Sequence, residues 1–341
     1  MDLLPTPEQQ EISSVAAALL AKTMDDDQGD ARRRTSAIGH GQWARFGALG
    51  WFGLSVPDGR GGVGYGMAEE ALLFREIGRH LAPGPFLACT LAARVALAGG
   101  AEELAAAILA GEITVGLAQP RGAQFDVGDV VSGSFDLLDA VDGSHVVVVT
   151  RDGSALMAIE ALGRPEQLPC IDPAVSLGRI QVEQAPVLVH TSGTTDHIFE
   201  RGTMLTAAML AGIGEATRDV ASEFGKTREQ FGKPIGVNQA IKHRCADMAM
   251  RAEAATSQVM FAALAIDEDR PDLEFHSAAA KVVASQAGIG NAALNIQIHG
   301  GMGYTFEHDA HLFLKRAHVL DRVLENKQQH MARLIDLPAA Q

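Results

Sequence analysis

Two clusters bracket the stretch whose reading decides the fold: Lys226-Thr227-Arg228-Glu229-Gln230-Phe231-Gly232-Lys233-Pro234-Ile235 and Gln297-Ile298-His299-Gly300-Gly301-Met302-Gly303-Tyr304. Between them the spacing predicts two long helices, over 239–267 and over 274–298. The first cluster sets a guanidinium, an amide and an aromatic ring within four residues. The second ends a helix on a glycine pair, where backbone can approach a ligand with no Cβ in the way. Together these groups can grip a nucleotide. Arg228 would take a diphosphate, Phe231 an adenine ring, and Gly300 and Gly301 would offer bare backbone. Each residue also has a plainer reading. Arg228 beside Glu229 fits a surface ion pair, Phe231 fits core packing, and Gly232 and Gly236 fit turns.

Outward from this stretch, 201–223 is rich in Ala and Leu, and Gly212 and Gly214 suggest close helix packing. A last helix is expected over 309–325. Four helices of this length predict a bundle. Residues 1–112 also read as mostly helix. Thr6-Pro7-Glu8-Gln9 is a helix start, with a capping hydroxyl, a first-turn proline and then acid and amide. Further helices are expected at 43–51, 67–80, 87–97 and 101–109, and Pro83-Gly84-Pro85 breaks the second of these. The glycine-rich run 59–66 is a loop. It lacks the Gly-Lys-Ser/Thr ending and the long preceding strand of a phosphate loop. Residues 113–198 change character. Short β-branched runs at 115–117, 130–131, 145–150, 156–159 and 187–190, parted by Gly, Asp and Pro, give all-β patterning. The expected domains are 1–112, 113–198 and 199–341.

Composition excludes several classes. The 341 residues can bury a sizeable core, and 47% of them are hydrophobic, which argues against disorder. The net charge of −14 argues against a nucleic-acid partner. Cys89, Cys170 and Cys245 lie far apart with no Cys-x-x-Cys spacing, as expected of reduced thiols. No apolar run reaches membrane-spanning length, and Met1–Pro5 shows no leader pattern, so a cytoplasmic location is expected.

The pair R-E-Q-F-G-K-P-I and Q-I-H-G-G-M-G-Y resembles the C-terminal helical domain of the acyl-CoA dehydrogenases. W-F-G-L-S-V-P, the G-G-x-G loop and A-P-G-P resemble that family's N-terminal domain. The resemblance implies a multi-domain α+β, mostly α fold: a helical N-terminal domain, a small β-barrel middle domain and a C-terminal four-helix bundle. It implies an oxidoreductase that uses FAD to desaturate an acyl-CoA thioester between Cα and Cβ. Arg228 would meet the FAD diphosphate, Gln230 and Phe231 the adenosine half, and Gln297, Gly300 and Gly301 the diphosphate, across a subunit interface. It therefore implies a homo- or hetero-oligomer, with an electron-transferring flavoprotein as the family's usual acceptor. The family's flavin-ring motifs, of the T-E-P-x-A-G-S-D and W-I-T-N-G types, depart here. Gln119-Pro120-Arg121-Gly122-Ala123-Gln124-Phe125-Asp126 stands for the first, and the second has no counterpart. The pattern is most similar to the short subunit of two-gene α2β2 acyl-CoA dehydrogenases of steroid and related acyl-CoA degradation.

Such enzymes need a carboxylate base for the α-proton. In one family register, counting on from Gly300 lands on Leu324, beside Glu325. In the other, counting back from Arg228 lands on Gly202, two residues from Glu200. Both glutamates also fit solvated helix ends. Glu307 is a third acidic candidate. Its neighbours His308 and Asp309 point different ways along the chain, so no metal site is expected. A non-catalytic scaffold subunit and a flavin monooxygenase of the same fold are the alternatives.

Overall fold

A computed structural model describes residues 4–26, 29–33, 38–338 and 340. In chain order the elements begin with α1 (Pro7–Met24), the short pair β1 (Asp25–Asp26) and β2 (Gly29–Asp30), α2 (His40–Ala48), α3 (Met67–Arg79), α4 (Phe86–Ala98) and α5 (Glu102–Leu109). Strands follow: β3 (Val115–Val127), β4 (Val130–Leu138), β5 (His145–Val149), β6 (Gly153–Ala158), β7 (Glu166–Leu168), β8 (Leu177–Pro186) and β9 (Val189–Ser192). The chain then returns to helix: α6 (Ile198–Thr227), a hairpin of β10 (Glu229–Gln230) and β11 (Lys233–Pro234), α7 (Gln239–Asp267), α8 (Leu273–His299), α9 (Ala310–Arg322) and α10 (Lys327–Asp336).

The elements divide into two compact units, one of 1–24, 71–82 and 203–341, the other of 25–70 and 83–202. In the second unit, β7-β8-β4-β3-β5-β6-β9 form one seven-stranded sheet. Only β3 and β5 run parallel; the other neighbours are antiparallel. The order is linear, and β3 and β4 shift register between Pro120 and Phe125. Val146 to Val149 are buried, as a continuous apolar β-branched run requires. Helix α4 is buried along nearly its whole length, Phe86 to Leu97, and packs on β3, β5, β6 and β9. Beside it lies an aromatic cluster in which the Phe46 and Trp51 rings stack at 4.6 Å. The Trp43 and Phe86 rings there are 4.8 Å apart.

In the first unit, Thr6 and Gln9 form the expected capping box ahead of α1, with reciprocal bonds of 3.3 and 2.9 Å. Helices α3 and α6 cross where a Cβ at Gly78 or at Gly212 would overlap the other helix's backbone. The Glu215 carboxylate locks the crossing by accepting from Arg79 Nη1 at 2.8 Å and from Thr256 Oγ1 at 2.6 Å. Helix α8 packs on α7, α9 and α10.

Three elements differ from expectation. The last long helix stops at Arg322 and a separate helix, α10, begins at Lys327. Leu324 and Glu325 break the run with φ of 51° and 70°, a break that no glycine announces. Strands β7 and β8 carry Glu166, Gln167, Arg179, Gln181 and Glu183 among their residues, which hides them from an apolar-run reading.

Candidate nucleotide and acyl-thioester site

Arg228, Gln230 and Phe231 sit on the hairpin that follows α6. Gln230 pairs with Lys233 across a two-residue loop in which Phe231 and Gly232 have φ of 52° and 74°. Positive φ at both loop residues is the geometry that lets a hairpin follow the natural strand twist. Glycine takes it freely. Phenylalanine takes it at a cost of about 1 kcal/mol. Its ring is 100% exposed, so the core-packing reading of Phe231 is overturned. The Arg228 side chain is exposed and makes no bond to Glu229 or to any other described residue, so the ion-pair reading fails too. Its backbone closes the structure: Arg228 N donates to Phe224 O at 2.9 Å and Ile235 N donates to Arg228 O at 2.8 Å.

Gln297, Gly300 and Gly301 lie at the C-terminal end of α8, all exposed. Gly300 takes φ 61° and ψ −139°, a conformation in which a side chain is strained. A Cβ at Gly300 or Gly301 would meet nothing within 4 Å. The pair thus faces open space, unlike Gly303, where a Cβ would press on His299 at 2.7 Å. One contact brings the two clusters to the same end of the bundle. Phe224 in the last turn of α6 stacks on His299 in the last turn of α8, with centroids 4.1 Å apart. The His308 ring lies 4.5 Å beyond. Burial holds the His299 imidazole below its ordinary pKa; the Asn295 carbonyl pulls the other way and His308 adds to the lowering. Its Nδ1–H donates to that carbonyl at 2.8 Å. The stack fixes the residue directly before the glycine pair.

The glutamates stand apart from this cluster in chemistry. Glu325 is half-buried in the α9–α10 turn, directly before Asn326. Asn326 caps α10 by accepting from Gln329 N at 3.0 Å, and Gln329 returns the bond at 2.9 Å. Two buried side chains that sequence reading missed surround the turn, Lys281 of α8 and His330 of α10. Their signal was a lysine on a helix face otherwise built of Ala, Ser and Gly. Glu200 lies in the first turn of α6, after Asp196 and His197, both at positive φ. Asp196 accepts from Arg94 Nη1 and from Arg201 Nη2, the latter at 3.3 Å. Glu307 is exposed in the turn before α9. Among the described residues no group of three His, Cys, Asp or Glu could hold a metal ion, and no helix is long and apolar enough to cross a membrane.

Residues 6–114 match the family description "acyl-CoA dehydrogenase, N-terminal domain" and residues 194–325 match "acyl-CoA dehydrogenase, C-terminal domain". The chain belongs to the acyl-CoA dehydrogenase family. Acyl-CoA dehydrogenase IpdE2 of Mycobacterium tuberculosis is 32% identical over 287 residues, 84% of this chain and 82% of that protein. Acyl-CoA dehydrogenase FadE34 of the same organism is 35% identical over 309 residues, 87% of this chain. The match spans only 42% of FadE34. Among solved structures, the ChsE4-ChsE5 complex from M. tuberculosis superposes with a TM-score of 0.86 at 21% identity, over 99% of this chain and 100% of that one. Butyryl-CoA dehydrogenase from Megasphaera elsdenii does so with 0.83 at 20%, over 98% of this chain and 99% of that one. At these identities the likeness is one of fold.

Proposed function

We propose that this chain is an acyl-CoA dehydrogenase subunit that holds the adenosine diphosphate half of FAD against a second subunit of the same family, for α,β-desaturation of a bulky acyl-CoA. One observation carries the reading. Arg228, Gln230, Phe231, Gln297, Gly300 and Gly301 converge on one end of the helical bundle, exposed, with open space at the glycines. Exposed apolar groups follow the glycine pair along the chain: Met302, Tyr304 and Phe306. Such a patch suits a partner chain. The bulky-substrate reading draws on a structural neighbour described as a steroid ACAD, Tcur3481-Tcur3483, with a TM-score of 0.84 at 21% identity.

The residues fit FAD. An unpaired guanidinium suits a diphosphate, which it can grip bidentately. Backbone without Cβ atoms admits close approach of the phosphates, and an exposed ring offers a stacking face for adenine. Bound FAD supplies the acceptor for the hydride that leaves Cβ of the thioester. The protein's part is to remove the Cα proton as the C–H electron pair moves into the new double bond. Glu325 is the favoured base. Its turn is fixed on both sides, and it stands beside the N-terminus of α10, whose dipole favours a carboxylate. Glu200, at the head of α6, is the second candidate.

Two measurements test the reading. Purified alone, the chain is expected to be colourless; co-expressed with a same-family chain bearing intact flavin-ring motifs, it should copurify as a yellow complex. A yellow homo-oligomer would overturn the two-subunit assignment. In the complex, Arg228→Ala should weaken FAD retention about tenfold or more, the scale of one lost charge-assisted contact. Unchanged flavin content would remove Arg228 from the site. Bleaching of the flavin by choloyl-CoA but not by butyryl-CoA, under anaerobic conditions, is the expected outcome for a bulky-substrate enzyme. No bleaching by any acyl-CoA would favour the scaffold reading.

A further inference from the structure

Lys281 is fully buried, with 0% of its surface exposed, on the face of α8 that packs against α9 and α10. A buried ammonium is costly unless its donors are used. Lys281 uses two of them: Nζ donates to Leu320 O at 2.8 Å and to Val323 O at 2.6 Å. These carbonyls lie at the end of α9, where intrahelical donors run out; Leu320 O also accepts from Val323 N at 3.2 Å. The next carbonyl in the turn, that of Leu324, is taken from the opposite side. His330 of α10, also 0% exposed, donates from Nε2 to Leu324 O at 2.9 Å. Three carbonyls within five residues are therefore held by two buried side chains from two flanking helices. The pinned segment is the one with Leu324 and Glu325 at φ of 51° and 70°. Two successive non-glycine residues in the left-handed region persist only where the surroundings over-determine them. Here the surroundings are Lys281 behind the turn, His330 ahead of it and the Asn326 capping box after it. Asp321, nearly buried, and Glu325 are the acidic groups that act on the ammonium.

We infer that Lys281 and His330 are positioning residues: they clamp the carbonyls of Leu320, Val323 and Leu324 and thereby hold the left-handed turn that aims the Glu325 carboxylate. The aiming half of this inference rests on Glu325 being the base; the clamping half does not. A carboxylate that must meet a carbon-bound proton gains from having its backbone fixed before the thioester arrives, because a misplaced base loses rate steeply. Lys281 also brings its Nζ donors to the turn without touching solvent, a role that no surface lysine could take.

The test uses the flavin-loaded complex. Amide hydrogen exchange is followed over 320–326 and, as an internal reference, over 310–316. In Lys281→Met, exchange at 323–326 should quicken about tenfold or more, equivalent to about 1.4 kcal/mol of lost local protection, with 310–316 unchanged. With choloyl-CoA, kcat should fall about tenfold while KM stays within about twofold, because the acyl-CoA contacts are left in place. His330→Leu should show the same pattern, and His330→Gln, which keeps a donor near the Nε2 position, should restore both readouts. The His330 pair decides the matter if Lys281→Met fails to assemble. Unchanged exchange at 323–326 in a folded variant overturns the clamp. Faster exchange with unaltered kcat overturns the aiming. Glu325→Gln separates this from the base assignment: if it retains turnover, Glu325 is not the base, and the exchange result still stands or falls alone.

Discussion

At the scale of single residues, two side chains adopt arrangements that their own chemistry opposes. Phe231 stands in solvent at positive φ, so replacing it should help the isolated chain. Phe231→Gly is expected to leave stability unchanged or raise it by about 0.5–1 kcal/mol, because no burial is lost and the left-handed cost disappears. The same change should weaken FAD retention in the complex. Thermal melts of the lone chain and flavin content of the complex check the two halves, and a destabilised lone chain would contradict the exposed placement. Lys281 gives a pH prediction. Burial pushes its pKa down to about 7 from 10.5, against the pull of Asp321 and Glu325. Between these values the unfolded chain binds a proton that the folded chain does not. The sign is therefore that stability rises with pH through this window, by up to about 1.4 kcal/mol per unit. Below 7 both states are protonated and the penalty is constant. Denaturation of the native sequence and of Lys281→Met, compared at pH 7 and 9, should show the slope only in the former.

At the scale of elements, the crossings and turns set what can be changed. A methyl at Gly78 or Gly212 would enter backbone of the opposite helix. Gly78→Ala and Gly212→Ala should each cost about 1–3 kcal/mol, the usual range for overpacking, read as a shifted denaturant midpoint. Asn326→Ala should cost about 1 kcal/mol through loss of the bond that Gln329 N donates to Asn326 Oδ1, and should fray α10 first. Most elements were legible in the sequence for a reason that recurs. Apolar periodicity marks α7 and α8 to within a residue of their ends, and Val146–Val149 announces a buried strand. The α9–α10 break was not legible, because Leu and Glu carry no turn signal and the left-handed geometry comes from Lys281 and His330, distant in sequence. Likewise the motif spacing makes Arg228, Gly300 and Gly301 candidates, but only the coordinates show that Arg228 is exposed and that the two glycines face open space. The candidate bases Glu200 and Glu325 each lie near a family register, and the fixed turn around Glu325 is visible only in three dimensions.

At the scale of the whole molecule, family membership rests on two domain matches and on relatives that this chain aligns with over most of its length. The charge of −14 argues against a polyanion partner, while Arg228 is an exposed cation in the proposed diphosphate site. Assembly should follow the exposed apolar surface around the hairpin. Tyr304→Glu with Phe306→Glu is expected to weaken the complex with its partner and leave the lone chain folded. Sedimentation of the mixed chains would show this, and an undiminished complex would place the interface elsewhere.

The uncovered ring of Phe231 has one more consequence, for the cell that makes this protein. On the proposed two-subunit reading, a chain released without its mate carries an oily tip, held out at a cost in backbone energy. Surplus copies would find each other through that tip. Matched synthesis of the two chains, rather than any property of the finished enzyme, should then decide how much of this protein stays in solution.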